Sequence, residues 1–204
     1  MLKIWGRTNS VNVKKVLWTA DELGLRYERI DAGRQFGVVD TPEYKKLNPN
    51  ALVPTIEDDG FVLWESHSIV RYLAARHGAG TLWPTDPRAR ADAERWMDWA
   101  FTFQAAFRTL FWGMVRTPPE TRDQKGMEES RKKSAELLAI PDEALARRPY
   151  LAGDFTMGDI PLGCHVQLWM RLPIDRPRHP NLTAWFERLC ARPAFRKNVD
   201  IPLS

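Results

Sequence analysis

Cysteine is scarce in this chain of 204 residues, and the two that occur, Cys164 and Cys190, form no CxxC pair. A dithiol redox site is therefore excluded. Both cysteines lie in stretches with the periodicity of amphipathic helices. In the absence of a secretory signal, we expect two reduced, packed thiols and not a disulfide.

Long apolar runs are also missing. Residues 1–5 lack the apolar core of a secretory signal. The most apolar stretch, residues 99–115, is interrupted by Gln104 and Arg108, and is too short and too polar to span a bilayer. We therefore expect a cytoplasmic protein that does not enter a membrane.

The chain has no large excess of one charge. Thirty basic residues against 26 acidic ones leave a net charge of +4, and no long basic block occurs. Basic and aromatic residues do not interleave on one evident surface, so a nucleic-acid partner is not expected. The small positive excess fits anionic small molecules equally well.

The first part of the chain alternates between strand and helix patterns. Residues 2–5 predict a strand, a helical period follows from Val11 to the terminating Gly24, and residues 27–30 predict a second strand. Such a β-α-β unit favours a parallel pair of strands. The remaining predicted elements are a short helix opened by Thr41-Pro42, a strand over 53–57, an Asp-Gly turn, a strand over 61–64 and a helix over 66–77.

The rest of the chain carries helical patterns only. A Gly- and Pro-rich stretch indicates a linker, and the helix that follows covers 88–115. Residues 121–147 are mostly helical, with Pro141 expected to divide or kink the helix. Further helices are predicted near Asp159, Pro180 and Pro193. We thus expect a domain at 1–79, a linker at 80–86 and an all-helical domain at 87–204.

Three positions at the ends of these elements could carry chemistry. Ser10 stands where a strand turns into a helix, and alone is an N-cap candidate. Pro54 near a strand start indicates either an edge position or a cis bond. Glu65 and Ser66 lie between a strand and a helix, where either residue can complement the helix dipole.

In this order and setting, these features resemble the N-terminal domain of cytosolic glutathione S-transferases. Residues 48–56 (NPNALVPTI) are similar to the family's NPxGxVP segment, and residues 65–73 (ESHSIVRYL) to its ESxAIxxYL segment. Residues 155–160 have capping-box and hydrophobic-staple spacing, like the start of a central helix in that family's second domain. The resemblance spans the chain. It implies an α+β thioredoxin-like domain followed by an all-α helical bundle, generally as a homodimer.

The resemblance also implies which residue activates the thiol of glutathione. Residues 10–16 (SVNVKKV) are similar to the SxPCRxV stretch of the bacterial, theta-like and delta-like classes, in which a serine does so. The chain departs at Asn12, where those classes have proline. No tyrosine or cysteine lies in this turn, which disfavours the tyrosine-type and cysteine-type classes. Ser10 and Asn12 are the expected catalytic residues, with Thr8 and Asn9 as rival or auxiliary donors.

Stabilising the thiolate is a modest physical demand. Lowering a thiol pKa from about 8.5 by two units requires about 2.7 kcal/mol. One hydrogen bond to a charged group supplies about 1.5–3 kcal/mol, and a helix N-terminus adds about 0.3–1 kcal/mol. No general base is needed. His67 is the nearest histidine, and we expect it to be structural.

Glutathione binding follows from the same resemblance. Val53 would pair its backbone with the cysteinyl unit beside a cis Pro54, while Glu65 and Ser66 would hold the γ-glutamyl amino and carboxylate groups. Arg34 is either a partner of the glycine carboxylate or a solvated loop charge. The full expected set is Ser10, Asn12, Arg34, Phe36, Leu52, Val53, Pro54, Glu65 and Ser66, where Leu52 replaces the Gln or Lys of many relatives.

The electrophile is expected between Ser10 and the first long helix of the second domain. The candidates are Phe103, Phe107, Phe111 and Trp112, with Arg108 as the one charge. Because Phe103 continues a stripe of core spacing, it also suits an ordinary core position. Arg108 either stabilises negative charge on the electrophile or forms a salt bridge.

The sequence thus predicts a detoxifying transferase that joins the glutathione thiolate to an apolar electrophile, without a metal. One alternative is a non-catalytic relative that binds ligands, which the departures at Asn12 and Leu52 motivate. Another is a glutathione-dependent peroxidase, dehalogenase or isomerase that uses the same thiolate.

Overall fold

The N-terminal part of the chain is built as predicted. A computed structural model describes residues 1–203. Its first elements are β1 (Leu2–Trp5), α1 (Val11–Glu22), β2 (Tyr27–Ile30), α2 (Pro42–Leu47), β3 (Thr55–Asp58), β4 (Phe61–Trp64) and α3 (Ser66–His77), with a short 3₁₀ helix at Arg34–Phe36. The strand order is β2-β1-β3-β4. β1 runs parallel to β2, and β3 runs antiparallel to both β1 and β4.

Alternation along β1 places a different core on each face of the sheet. Ile4 packs with apolar residues of α1 and α3, including Val16 and Ile69, which are all fully buried. Trp5 points the other way and packs on the cluster that contains Tyr44 of α2. The sheet therefore lies between α2 and the α1–α3 pair.

The second part of the chain is helical. Its elements are α4 (Pro87–Val115), α5 (Gln124–Leu145), α6 (Asp159–Arg171), α7 (Pro180–Ala191) and α8 (Pro193–Asn198), with a 3₁₀ turn at Pro119–Thr121. The carboxylates of Asp86 and Asp123 cap α4 and α5 by accepting from the N–H groups of Ala89 and Gly126. No helix within residues 1–203 has the length and apolar character required to cross a bilayer.

The start of α6 is fixed by a buried carboxylate. Asp159 Oδ2 accepts from the Thr156 N–H at 3.0 Å, which is one half of the expected capping box. The Thr156 hydroxyl accepts from the Gly158 N–H at 3.2 Å. Asp159 Oδ1 accepts from the Leu151 N–H and the Trp185 indole, at 3.0 and 2.9 Å. Burial raises the Asp159 pKa to about 6 despite these donors.

Helix α1 joins the two parts. Trp18 is fully buried and packs edge-on against Phe195 of α8, with ring centroids 4.8 Å apart. Arg192 reaches Glu22 with two hydrogen bonds of 2.8 and 2.7 Å. The helix whose N-terminus carries Ser10 is therefore anchored on both sides.

One detail of the sequence prediction is wrong, and one of its two alternatives for Pro141 is excluded. Pro141 does not divide the fifth helix, because α5 continues from Gln124 to Leu145 with the proline inside it. The third strand begins at Thr55, two residues later than predicted. Both cysteines are free thiols, with Cys164 buried, as expected.

Candidate active site

A cleft of about 520 Å³ opens between the start of α1 and the last three turns of α4. Of the expected residues, it is lined by Ser10, Asn12, Arg34, Leu52, Val53, Phe107, Arg108, Phe111 and Trp112. The structure thus brings together residues that are up to about one hundred positions apart. The expected residues outside this lining are Phe36, Pro54, Glu65, Ser66 and Phe103.

Ser10 is the N-cap residue of α1, with extended backbone angles. Its hydroxyl makes no capping hydrogen bond, its side chain is 8% exposed, and it lines the cleft. The first turn of α1 holds no acidic residue. The positive end of the helix dipole and the serine hydroxyl therefore face the same space without a competing carboxylate on that turn.

Asn12 is tied to a buried lysine. Lys15 Nζ donates to Asn12 Oδ1 at 3.0 Å and to His67 Nε2 at 3.0 Å. Burial lowers the Lys15 pKa to about 8. Burial and the neighbouring Lys15 lower the His67 pKa to about 2, so this imidazole is neutral at physiological pH. His67 also stacks on Phe101, and its contacts are those of a structural residue.

The segment before β3 is held by side chains of α2 and the residue that ends it. The Leu52 carbonyl accepts from the Tyr44 hydroxyl at 2.6 Å and from Asn48 Nδ2 at 2.9 Å. The Val53–Pro54 peptide bond is cis, as expected. Within residues 1–203, no backbone hydrogen bond engages Val53. This gives the NPxGxVP-like segment a physical role, since Asn48 fixes the loop that presents Val53 to the cleft.

Glu65 and Ser66 stand behind the cleft at the start of α3. Glu65 is exposed and has a φ of 72°, a left-handed conformation that is uncommon for a residue with a side chain. Ser66 is the first residue of α3 and is 5% exposed. The Glu65 carboxylate also lies close enough to Lys15 to raise its pKa in opposition to burial.

One face of α4 forms the opposite wall. Gln104, Arg108, Trp112 and Arg116 follow one another at intervals of four residues and all line the cleft, as do Phe107 and Phe111. The Arg108 guanidinium lies 5.5 Å from the Trp112 ring centroid. Arg108 forms no ion pair among the described residues, so the salt-bridge alternative for it is not supported.

Phe103 does not line the cleft, contrary to the expectation. It is fully buried and stacks on Phe107, with ring centroids 5.3 Å apart. Phe107 is also buried, at 2% exposure, but it does line the cleft. The reason is geometric, because the stripe at spacing three and four that includes Phe103 points at α6, where Trp169 packs against it.

Four arginines line the cleft, and the sequence analysis identified Arg34 and Arg108 but not Arg7 and Arg116. Burial together with the Arg34 charge lowers the pKa of both Arg7 and Arg116. The Arg7 Nε atom is buried without a partner. Arg116 could have been found from its spacing of four from Trp112, whereas Arg7 follows a glycine in a turn and carries no such signal.

The floor of the cleft is polar. Gln104 Oε1 and His165 Nε2 are buried atoms without hydrogen-bond partners, and both residues line the cleft. Burial keeps the pKa of His165 well below its usual value, so its ring is neutral. Sequence reasoning missed both residues, since an isolated His or Gln on an apolar helix usually belongs to a satisfied core.

Two further candidates lie at the margin of the site. Thr8 is exposed and does not line the cleft that Ser10 lines. Phe36 is 42% exposed at the end of the 3₁₀ helix and does not line the cleft.

Comparison with known proteins places this architecture. Residues 9–76 match the glutathione S-transferase N-terminal domain family, and residues 99–193 match the C-terminal domain family. The chain is 46% identical to glutathione S-transferase GstB of Escherichia coli K12, over the whole of both chains. It is 33% identical to glutathione S-transferase 3 of Zea mays, over 99% of this chain and 95% of that one.

A solved structure extends the match to three dimensions. The theta class glutathione S-transferase of Xanthomonas axonopodis pv. citri, crystallised with glutathione bound, superimposes with a TM-score of 0.96 at 51% identity. The match covers 100% of this chain and 99% of that one. The α+β thioredoxin-like domain and the helical domain predicted from the sequence are therefore confirmed, and the chain belongs to the glutathione S-transferase family and is an enzyme of that kind.

Proposed function

We propose that this enzyme uses Ser10 and the N-terminus of α1 to hold glutathione as its thiolate and joins that sulfur to an electrophilic carbon. The observation that carries the proposal is the Ser10 hydroxyl, which lines the cleft and is not consumed by helix capping. A hydroxyl donor and a helix N-terminus together supply about the 2.7 kcal/mol that a two-unit drop in thiol pKa requires. This is a serine-type site of the theta-like kind.

The reaction balances without a protein base. The bound thiol releases its proton to solvent, and the sulfur lone pair forms a new carbon–sulfur bond. A leaving group then departs with its electron pair, or a conjugated acceptor takes the pair up. The protein stabilises the nucleophile and holds it beside its partner, which is the main source of acceleration in such additions.

Glutathione would lie along the N-terminal wall. Val53 offers its free backbone groups to the cysteinyl unit, and Glu65 and Ser66 suit the γ-glutamyl ammonium and carboxylate. Arg34, with Arg7 near it, suits the glycine carboxylate, because the Arg34 charge helps to lower the Arg7 pKa and an anion between the two guanidinium groups would offset their repulsion.

The electrophile would lie against α4. Phe111 and Trp112 offer an aromatic wall, and Arg108 can stabilise negative charge that develops on the electrophile as the new bond forms. The unpartnered Gln104 and His165 atoms favour an electrophile that carries a hydrogen-bonding group on an otherwise apolar frame.

A thiolate titration tests the proposal. Ultraviolet absorbance of bound glutathione is followed across pH in the wild type, Ser10→Ala and Thr8→Ala. We expect a bound thiol pKa well below about 8.5, a return toward that value in Ser10→Ala, and no change in Thr8→Ala, whose side chain lies outside the cleft. An unshifted pKa in the wild type would indicate a binding protein. A shift that survives Ser10→Ala would assign activation to Asn12 and the helix terminus.

We also infer a cytoplasmic homodimer. Phe61 packs on Tyr72 and Phe101 stacks on His67, and both partners belong to α3. Phe61 and Phe101 nevertheless remain 49% and 48% exposed, which supports a second copy covering this side of α3. Light scattering on the wild type and on Phe101→Glu tests the inference, with a loss of mass by half expected in the variant and a wild-type monomer contradicting it.

A further inference from the structure

Lys15 is an unusual residue for the inside of a protein. Its side chain is fully buried, and the two hydrogen-bond partners of its ammonium, Asn12 Oδ1 and His67 Nε2, are neutral groups. No carboxylate forms an ion pair with it among residues 1–203. A buried ammonium without a paired carboxylate is costly, and such groups concentrate at functional sites.

The ammonium determines which way the Asn12 side chain faces. A charged lysine has three donors and no acceptor, so the atom of Asn12 that lies 3.0 Å away must be the amide oxygen. The amide nitrogen then points away from Lys15. Because Asn12 lines the cleft on the second residue of α1, its two N–H donors are left for a group in the cleft.

We propose that Lys15 is a positioning residue for thiolate formation, which turns the Asn12 amide so that its N–H groups donate to the glutathione sulfur. This rests on the proposed function, in which that sulfur lies between Ser10 and Asn12. Lys15 touches no reacting atom and acts through Asn12. Asn12, which stands where the related classes have proline, would thus supply a second hydrogen-bond donor to the sulfur beside the Ser10 hydroxyl.

The groups of α3 and α6 that face Lys15 directly are neutral. His67 of α3 is neutral and accepts from it. Cys164 and His165 face it from α6, and burial raises the thiol pKa of Cys164 to about 12 while it lowers that of His165, so both are neutral. Glu65, before α3, is a carboxylate near enough to raise the Lys15 pKa. Lys14, its neighbour, instead donates to the Val199 carbonyl at 3.0 Å.

A double-mutant cycle on the titration of bound glutathione tests the proposal. We expect Lys15→Met to raise the bound thiol pKa by about one unit, with kcat at pH 6.5 reduced about tenfold and the KM for glutathione changed less than about twofold. When Asn12 is already replaced by alanine, Lys15→Met should raise the bound thiol pKa little further. When Ser10 is replaced by alanine instead, Lys15→Met should still raise the bound thiol pKa by its full amount.

The outcomes separate the inference from the function it rests on. If the thiol pKa of glutathione bound to the wild-type protein equals that of free glutathione, the proposed function and the inference about Lys15 both fail. If the wild type shows the shift and Lys15→Met retains it, Lys15 is structural and only the inference fails. An equal effect in the Asn12→Ala background would mean that the charge acts directly and not through Asn12, which also overturns the proposal.

A measurement on the unaltered protein covers the case in which Lys15→Met does not fold. The Asn12 side-chain amide signal is identified in ¹⁵N spectra by its loss in Asn12→Ala. We expect it to move when glutathione is added at pH 6.5, and to titrate again near pH 8 in the free protein as Lys15 loses its proton. An Asn12 amide signal that shifts neither on addition of glutathione nor on titration through pH 8 would overturn the proposal.

Discussion

Lys15 beside the cleft and Asp159 at the start of α6 are both charged residues buried completely, yet their surroundings differ. Asp159 accepts three hydrogen bonds from fixed N–H donors within its own domain. Lys15 contacts one amide oxygen and one imidazole, and the amide belongs to Asn12, which lines the cleft. We therefore expect Asp159 to act on stability alone and Lys15 to act also on catalysis.

The largest effect is expected at Asp159. We expect Asp159→Ala to lower the free energy of unfolding by about 3 kcal/mol or more, since each buried donor left without a partner costs about 1–3 kcal/mol. Urea unfolding measures it. Asp159→Asn is the matched control, because its amide oxygen still accepts from Leu151 and Trp185. Its free energy of unfolding should fall clearly less than that of Asp159→Ala. A loss below about 1 kcal/mol in the alanine variant would break the comparison.

The lowered pKa of Lys15 predicts that the free energy of unfolding changes at alkaline pH. Its folded pKa of about 8 lies below the ordinary 10.5, so between these values the unfolded chain binds more protons. Stability from this residue therefore rises as pH increases from 8 to 10.5, by about 3 kcal/mol in total.

The measurement is the difference in unfolding free energy between the wild type and Lys15→Met at pH 7.5 and pH 10. The difference is needed because the raised pKa of Cys164 acts oppositely in part of this range. A difference that is the same at both pH values would show that Lys15 is not a buried charge in solution.

Ser10 should affect catalysis and not stability. We expect Ser10→Ala to lower kcat/KM about 10-fold to 100-fold, which corresponds to one hydrogen bond to a charged group. The free energy of unfolding should change little, because the hydroxyl makes no capping bond. A large loss of stability with unchanged activity would place Ser10 with Asp159 as a structural residue.

Arg108 should have a smaller effect that depends on the electrophile. We expect Arg108→Met, which keeps the apolar stem over Trp112, to reduce kcat/KM about fivefold for nitro-activated aryl halides, since negative charge builds on their rings. For simple alkyl halides, where the charge leaves with the halide, the reduction should be weaker. The bound thiol pKa should not change. An equal effect on both substrates would assign Arg108 to general packing.

Leu52 gives the smallest expected effect. It lines the cleft at 63% exposure, where a glutamine could reach glutathione. We expect Leu52→Gln to lower the KM for glutathione about twofold to threefold, the effect of one exposed hydrogen bond, with kcat unchanged. Initial-rate kinetics at varied glutathione concentration decide this, and a raised KM would show that the position prefers an apolar residue.

Much of the candidate site could be predicted because its residues lie in local segments with their own signals. Ser10 stands at a strand-to-helix turn in a stretch that resembles the family's, and Asn48 to Pro54 form a family-like motif in which Asn48 bonds the Leu52 carbonyl and the Asn50 N–H within the segment. Phe103 and Lys15 could not be assigned in this way. Helical spacing states which residues share a face, but not which neighbour that face will meet.

The sequence by itself determined the order of strands and helices, the two-part architecture and the turn that carries Ser10, because periodicity and capping act between residues a few positions apart. Only the tertiary structure decided that Phe103 is core, that Arg7, Arg34 and Arg116 converge, and that Lys15 of α1 meets His67 of α3 behind Asn12. These contacts join residues from separate elements. They depend on how α1, α3, α4 and α6 pack together, which no local pattern specifies.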